Sequence, residues 1–223
     1  MPRIYIVVEG QTEESFVNEL LAPTFSKSEI WPTAILIGKP GHKGGVLDYQ
    51  RAKNDIIKLL KQDKSAFCTT MFDYFRLPTS FPGMPVQKVS STEEKAKYVE
   101  SAMYADISKD LGDHSRPDRF IPNLQMHEFE GLLFSDCRSF ANGIARPDLK
   151  GEFDKIREAF PTPEDINDRA DKAPSKRILK LFEEYEKVTM GTLAAIEMGL
   201  DVIKRECPHF SSWVECIEAL SNQ

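Results

Sequence analysis

The sequence predicts an α/β protein with a mainly parallel sheet flanked by helices and a helical subdomain at the carboxyl terminus. Up to about residue 137, short apolar, β-branched runs alternate with amphipathic helical patterns. That alternation is typical of parallel strands joined by crossover helices. Beyond residue 138 only helical patterns remain. We therefore expect an α/β domain over residues 1–137 and a helical subdomain over residues 138–223 that packs on it.

Each element follows from its own pattern. Strands are predicted where apolar runs stop at turn residues, and helices where apolar residues recur every three or four positions, as Val99, Met103, Ile107 and Leu111 do. The predicted strands are 4–8, 32–37 and 66–72, with one or two more extended segments within 120–134. The predicted helices are 12–21, 47–61, 92–111, 149–160, 175–186, 189–205 and 211–221.

The composition excludes several classes of protein. The chain has 223 residues, a hydrophobic content of 41% and a net charge of −6, which weighs against broad, non-specific binding to nucleic acid but leaves room for a local basic patch. Its four cysteines show no CxxC spacing, so we expect free thiols and not disulfides or a zinc site. No signal peptide or membrane span is apparent, and we expect a cytoplasmic protein.

Two carboxylates follow predicted strands. Glu9 ends the first strand at a glycine turn, and Asp73 ends the third. Parallel strands bring their carboxyl ends to one edge of the sheet, so both side chains are expected there. Carboxylates without a histidine cluster suit Mg²⁺ or Mn²⁺, which would polarise a phosphodiester and activate a water. The plainer alternative is that Glu9 caps the next helix and Asp73 begins a turn.

Further acids are candidates for the same metal site. Glu128 and Glu130 lie in an apolar segment, where acids need a partner or a metal. If the segment is extended, both face one side; if it begins a helix, His127 and Glu130 are neighbours. We expect either Glu128 or Glu130 to be the third ligand, with a buried hydrogen-bonding network as the alternative. Glu13 could also reach the site, although the helix dipole explains its position without a function.

Two basic segments are candidates for binding phosphate. A glycine-rich loop after the second strand offers free N–H groups and lysines, and a helix start at 172–177 carries positive charge that opposes the helix dipole. A solvated basic surface and an ordinary helix start are the alternatives. The weaker candidate Lys187 follows Tyr185. The phosphate-binding candidates are Lys39, Lys43, Gly44, Gly45, Lys176 and Arg177.

Several stretches of the sequence resemble a bacterial family catalogued as domain of unknown function 4276, which is regarded as Toprim-like. The resemblance extends through nearly the whole chain. The matching stretches are 8–13 (VEGQTE), 70–78 (TMFDYFRLP), 126–134 (MHEFEGLLF), 173–177 (APSKR) and 207–213 (CPHFSSW).

The resemblance implies a metal-dependent phosphodiesterase. Toprim domains of topoisomerases, primases and overcoming-lysogenization-defect nucleases bind Mg²⁺ through a glutamate after the first strand and an Asp-x-Asp after a later one. Glu9 matches the glutamate and Asp73 the first aspartate, whereas Phe75 stands at the second. Either Glu128 or Glu130 substitutes there, or the metal site is weakened, or catalysis is lost.

Two functions follow from the resemblance. The first is a Mg²⁺- or Mn²⁺-dependent nuclease acting on DNA or RNA, an effector of a bacterial anti-phage system with an ABC- or AAA-type ATPase partner. Its catalytic residues would be Glu9, Asp73 and Glu130, with Lys176 or Lys43 steadying the phosphate. The alternative is a non-catalytic, Toprim-shaped subunit that binds such an ATPase.

Overall fold

A parallel sheet forms the centre of the fold. The computed structural model describes residues 1–37, 48–86, 91–112, 116–166 and 172–222. Within these ranges the strand order is β2-β1-β3-β4, a fifth strand also pairs with β3, and every pair is parallel. The predicted α/β class, with a parallel sheet flanked by helices, is confirmed. The strands are β1 Arg3–Val8, β2 Trp31–Leu36, β3 Phe67–Asp73, β4 Phe120–Ile121 and β5 Leu124–Gln125.

Helices cover both faces of this sheet. The amino-terminal helices are α1 Gln11–Phe16, α2 Ala22–Ser26, α3 Tyr49–Gln62 and α4 Thr92–Leu111. The later helices are α5 Cys137–Gly143, α6 Lys150–Arg157, α7 Pro174–Leu181, α8 Lys187–Met198, α9 Leu200–Glu206 and α10 Pro208–Glu218. No described helix is both long enough and apolar enough to span a membrane.

The predicted elements differ from the observed ones at several places; helix α5, for example, was not predicted, and the helix predicted at 175–186 ends at Leu181. The predicted helix 12–21 is longer in the structure and ends at Ser26. It includes a π-helical turn at Val17–Leu21, because Pro23 has no N–H to donate to a carbonyl of the preceding turn. The predicted helix 189–205 is divided at Gly199, whose φ of 80° ends α8. The region 120–134 contains only two-residue strands and then a 3₁₀ helix, Phe129–Ser135.

The two faces of the sheet bury separate apolar clusters. Ile4, Ile6 and Val8 of β1 belong to a cluster that includes Phe134 and Trp213 from the carboxyl-terminal half. The opposite face of the sheet packs against α3 and α4 through a second cluster. The carboxyl-terminal helices therefore pack directly on the sheet. The division into two domains at residue 137 stays a prediction.

Helices α5 and α8 are in close contact at Gly143. A Cβ added to Gly143 would lie 2.4 Å from Ala194 Cα and 2.8 Å from Ala194 N. These are backbone atoms of α8, which cannot move aside as the end of a flexible side chain can. Gly143 therefore sets the spacing of this helix pair.

The cysteines are free thiols, as the sequence predicts. Cys68, Cys137 and Cys207 are buried, and Cys216 is exposed. Burial raises the pKa of the Cys137 thiol to about 12 and that of Cys207 well above its usual value. Such thiols are protonated and unreactive at neutral pH.

Replacing Ser91 with alanine is expected to destabilise the protein by about 1 kcal/mol, because helix α4 begins with a capping box. Ser91 Oγ accepts a hydrogen bond from Glu94 N (3.1 Å), and Glu94 Oε2 accepts one from Ser91 N (3.3 Å). Urea denaturation measures the change. The control is Ser101→Ala in the middle of α4, which should be nearly neutral. Equal losses in both variants would show that the cap contributes nothing.

Candidate functional site

Glu9 and Asp73 are in direct contact at the carboxyl edge of the sheet. Strands β1 and β3 are parallel neighbours, and Val8 is paired with Met71. The residues that follow each strand therefore lie at the same edge of the sheet. Asp73 N donates a hydrogen bond to Glu9 Oε1 (2.9 Å). The structure thus brings together the two acids that are 64 positions apart in the sequence.

Glu13 joins these two acids from the first turn of α1. Its side chain is buried and folds back over the turn between β1 and α1. A Cβ added to Gly10 would lie only 3.0 Å from Glu13 Oε2. The glycine after Glu9 therefore leaves the space that the Glu13 carboxylate occupies. We call Glu9, Glu13 and Asp73 the acidic cluster.

The acidic cluster concentrates negative charge away from water. Burial and, after it, the charge of Glu13 raise the pKa of Glu9 from 4.5 to about 7, although the Asp73 N–H, Arg76 and Lys187 act in the opposite direction. Burial raises the pKa of Asp73 well above its usual value, and the charge of Glu13 is the next largest cause. A cation bound here would favour the ionised carboxylates, against both the burial and the mutual repulsion that raise these pKa values.

The segment after β5 holds Asp73 in place. Phe129 N donates to Asp73 Oδ1 (3.1 Å), and Phe75 N donates to the carbonyl of His127 (3.1 Å). His127 has a φ of 61°, in the left-handed region, so the chain turns sharply there. The sequence left open whether this segment is extended or begins a helix; in the structure a 3₁₀ helix begins at Phe129, and His127 lies outside it. Glu128 is extended and precedes the 3₁₀ helix.

This turn separates Glu128 from Glu130. Glu128 Oε2 accepts a hydrogen bond from Ser175 N (2.9 Å) at the start of α7, and its charge is one cause of the raised pKa of Asp73. Glu130 is fully buried, and its Oε2 lies 2.8 Å from Lys187 Nζ. Glu128 therefore acts on the acidic cluster, whereas Glu130 forms a buried ion pair beside it.

Lys187 is the lysine that the structure places beside the acids. It is the first residue of α8, which packs against α1 and the 3₁₀ helix. Its charge opposes the raised pKa values of both Glu9 and Asp73. The sequence ranked it as a weak candidate, because only the tertiary path of α8 brings it here. Arg76, three residues after Asp73, also acts on Glu9 and was not predicted at all.

The other predicted phosphate-binding residues lie elsewhere or outside the described part of the chain. Lys39, Lys43, Gly44 and Gly45 are outside the described residues. Lys176 is exposed in the first turn of α7. Arg177 instead lies over the ring of Phe160 (5.2 Å) and donates from Nε to the carbonyl of Lys172 (2.7 Å). Within the described residues, neither Lys176 nor Arg177 forms a hydrogen bond or an ion pair with the acidic cluster.

The carboxylate oxygens of Glu9 and Asp73 suit a hard divalent cation that takes only some of its ligands from the protein. Backbone N–H groups hold one oxygen of Glu9 and one of Asp73, so the second oxygen of each can serve as a ligand. Within the described ranges no group of three or more His, Cys, Asp or Glu residues has the spacing of a metal site. Mg²⁺ is commonly bound by one or two carboxylates, with waters and substrate phosphates completing the shell. Glu9 and Asp73 supply two carboxylates of this kind.

A buried acidic cluster at the carboxyl edge of a parallel sheet is a typical ligand-binding position of open α/β proteins. The chain belongs to the family described as Domain of unknown function (DUF4276), whose model matches residues 8–218. Among solved structures, it is similar to the C-terminal region of the Xanthomonas campestris pv. campestris OLD protein. The two share 15% sequence identity over 98% of this chain and 95% of the other, with a TM-score of 0.41. No curated protein matches the sequence.

Proposed function

We propose that this chain is a Mg²⁺- or Mn²⁺-dependent phosphodiesterase of the Toprim type that cleaves DNA or RNA. The observation that carries the proposal is the pairing of Glu9 and Asp73 at the carboxyl ends of β1 and β3. Both are held by backbone N–H groups, and burial raises the pKa of both. Two such carboxylates supply the hard oxygen ligands that these cations prefer.

Each residue has a distinct part in this proposal. Glu9 and Asp73 would hold the cation, which when bound polarises the phosphodiester and lowers the pKa of the attacking water. Glu13 and Glu128 add negative charge that favours its binding. Lys187, oriented by Glu130, presents a positive charge to the substrate phosphate in place of Lys43 or Lys176. Lys187 would thus bind substrate, and Glu130 is a positioning residue.

Replacing Asp73 with asparagine is expected to reduce hydrolysis to the level of buffer alone, because asparagine keeps the oxygen that accepts the Phe129 N–H but removes the charge. The assay uses labelled single- and double-stranded DNA and RNA with Mg²⁺, Mn²⁺ or EDTA. The control is Asp201→Asn, an exposed acid in the first turn of α9. Equal hydrolysis by wild type and Asp73→Asn, or hydrolysis that persists in EDTA, would refute the proposal.

The second candidate is a non-catalytic subunit that docks on an ATPase. Phe75 favours it, because this residue stands where Toprim domains have a second acid and its side chain is 41% exposed. Calorimetric titration with Mg²⁺ and Mn²⁺ separates the two functions. Absence of binding at millimolar concentration would support the docking subunit.

An ABC- or AAA-type partner, an anti-phage role and a cytoplasmic location remain proposals carried over from the sequence.

A further inference from the structure

Helix α7 is a basic element that begins at the candidate site. It carries Lys176, Arg177 and Lys180 and no acidic residue, in a chain whose net charge is −6. The N–H of Ser175, in its first turn, binds the Glu128 carboxylate. At a rise of about 1.5 Å per residue, Lys180 lies roughly 8 Å along the helix axis from Ser175. Positive charge therefore leads away from the acids along this helix.

A groove of about 270 Å³ lies between α6 and α7. Ile156, Ala159 and Leu181 contribute apolar surface to its walls, and Lys155 and Lys180 also line it. Both lysines are exposed. The acidic residue of the lining, Glu152, is ion-paired with Lys155 (2.6 Å). The groove thus combines an apolar interior with a net positive rim.

Arg177 gives the groove a flat, cationic wall. Its guanidinium group is held over the Phe160 ring and by the Lys172 carbonyl, so the orientation of its plane is fixed. Nucleobases stack on guanidinium planes and apolar side chains, while lysines bind the adjoining phosphates. A base enters such a groove only from a single strand, because in a duplex its faces are stacked on its neighbours.

We propose that the α6–α7 groove binds a nucleobase of a single-stranded segment of the substrate, with Lys155 and Lys180 on the flanking phosphates. This inference rests on the proposed function, because it assigns a class of substrate to the activity proposed for the acidic cluster. The ligand is a nucleic acid and not an acidic peptide, because helix α7 connects the groove with the carboxylates that are proposed to act on phosphodiesters.

Replacing Lys155 and Lys180 together with alanine is expected to weaken binding of a labelled 12-nucleotide oligo-dT. Fluorescence anisotropy in EDTA measures binding without hydrolysis. The slope of log Kobs against log[salt] should become shallower by about 1.4, because each phosphate contact to a single strand contributes about 0.7. The control is Lys27→Ala with Lys109→Ala, which removes two exposed lysines outside the groove.

A second variant, Ala159→Glu, tests the base-binding interior. Ala159 is exposed, so the change leaves the core intact, and it places a carboxylate where the base would lie. Affinity for oligo-dT should fall about tenfold, which is within the range for loss of one stacked base. An abasic oligonucleotide should bind the wild type correspondingly less tightly than oligo-dT does.

The outcomes separate this inference from the proposed function. Single-strand binding that weakens in both groove variants supports the groove even if no hydrolysis is found. Hydrolysis by the wild type, with oligo-dT affinity unchanged in both groove variants, overturns the groove alone. Duplex binding as tight as single-strand binding, or displacement of oligo-dT from the groove by poly-glutamate at equal charge, would also overturn it.

Discussion

Replacing Glu9 with glutamine is expected to abolish metal-dependent hydrolysis and yet to stabilise the metal-free protein at pH 8. Burial and the charge of Glu13 raise the pKa of Glu9 from 4.5 to about 7, so its ionised form is unfavourable in the folded state. Such a shift corresponds to a destabilisation on the order of 3 kcal/mol at about 1.36 kcal/mol per pKa unit. Glutamine removes this charge and keeps an oxygen for the Asp73 N–H.

The effect on stability depends on pH with a definite sign. Because the folded pKa of Glu9 is above the unfolded value, the folded state binds the proton more tightly. Below pH 4.5 Glu9 is protonated in both states. As the pH rises from 4.5 to about 7, the wild type loses stability relative to Glu9→Gln, and the difference is constant above that range.

Urea denaturation in EDTA at pH 5 and pH 8 measures this difference. The matched control is Glu19→Gln, an exposed acid in the helical turn that follows α1. Glu19→Gln should show neither loss of hydrolysis nor a pH-dependent gain in stability. A stability difference between wild type and Glu9→Gln that is the same at both pH values would contradict the assignment of a raised pKa to Glu9.

Replacing Gly143 with alanine is expected to destabilise the protein by about 3 kcal/mol, the upper end of the usual range for overpacking. The added methyl group would meet the backbone of Ala194 at 2.4 Å, so α5 and α8 must move apart. Helix α8 begins with Lys187, so the movement should also disturb the Lys187–Glu130 ion pair and lower hydrolysis.

The control for this prediction is the same substitution in an open position. Gly151 lies in α6, and a Cβ there would meet no atom within 4 Å. Gly151→Ala should stabilise the protein by about 0.5 to 1 kcal/mol through helix propensity alone. Thermal denaturation compares both variants with the wild type. A Gly143→Ala protein as stable as the wild type would show that the two helices do not constrain each other there.

The sequence predicts the part of the fold that depends on local pattern. Strands β1 and β3 are buried apolar runs, and α4 has a clear helical stripe. Helix α5 was missed, because seven residues are too few to show a period. The placement of Glu9 and Asp73 could be predicted, since it follows from the rule that parallel strands end at one edge.

The rest of the site depends on tertiary structure. The left-handed turn at His127 sends Glu128 and Glu130 to different partners, and no spacing rule anticipates a positive φ at a histidine. Lys187 reaches the acids only because α8 returns across α1. The sequence therefore indicates that Glu9 and Asp73 meet, but it predicts neither the separate partners of Glu128 and Glu130 nor the position of Lys187 beside the acids.

The origin of Lys187 in the carboxyl-terminal half has a consequence during protein synthesis. The ribosome makes Glu9, Glu13 and Asp73 first, and roughly 110 residues separate Asp73 from Lys187, which corresponds to about 5 to 25 s of translation. A nascent chain that ends before residue 187 contains the three acids but neither Lys187 nor helix α8, on which Lys187 lies. The acidic cluster therefore gains its lysine only after most of the chain has been synthesised.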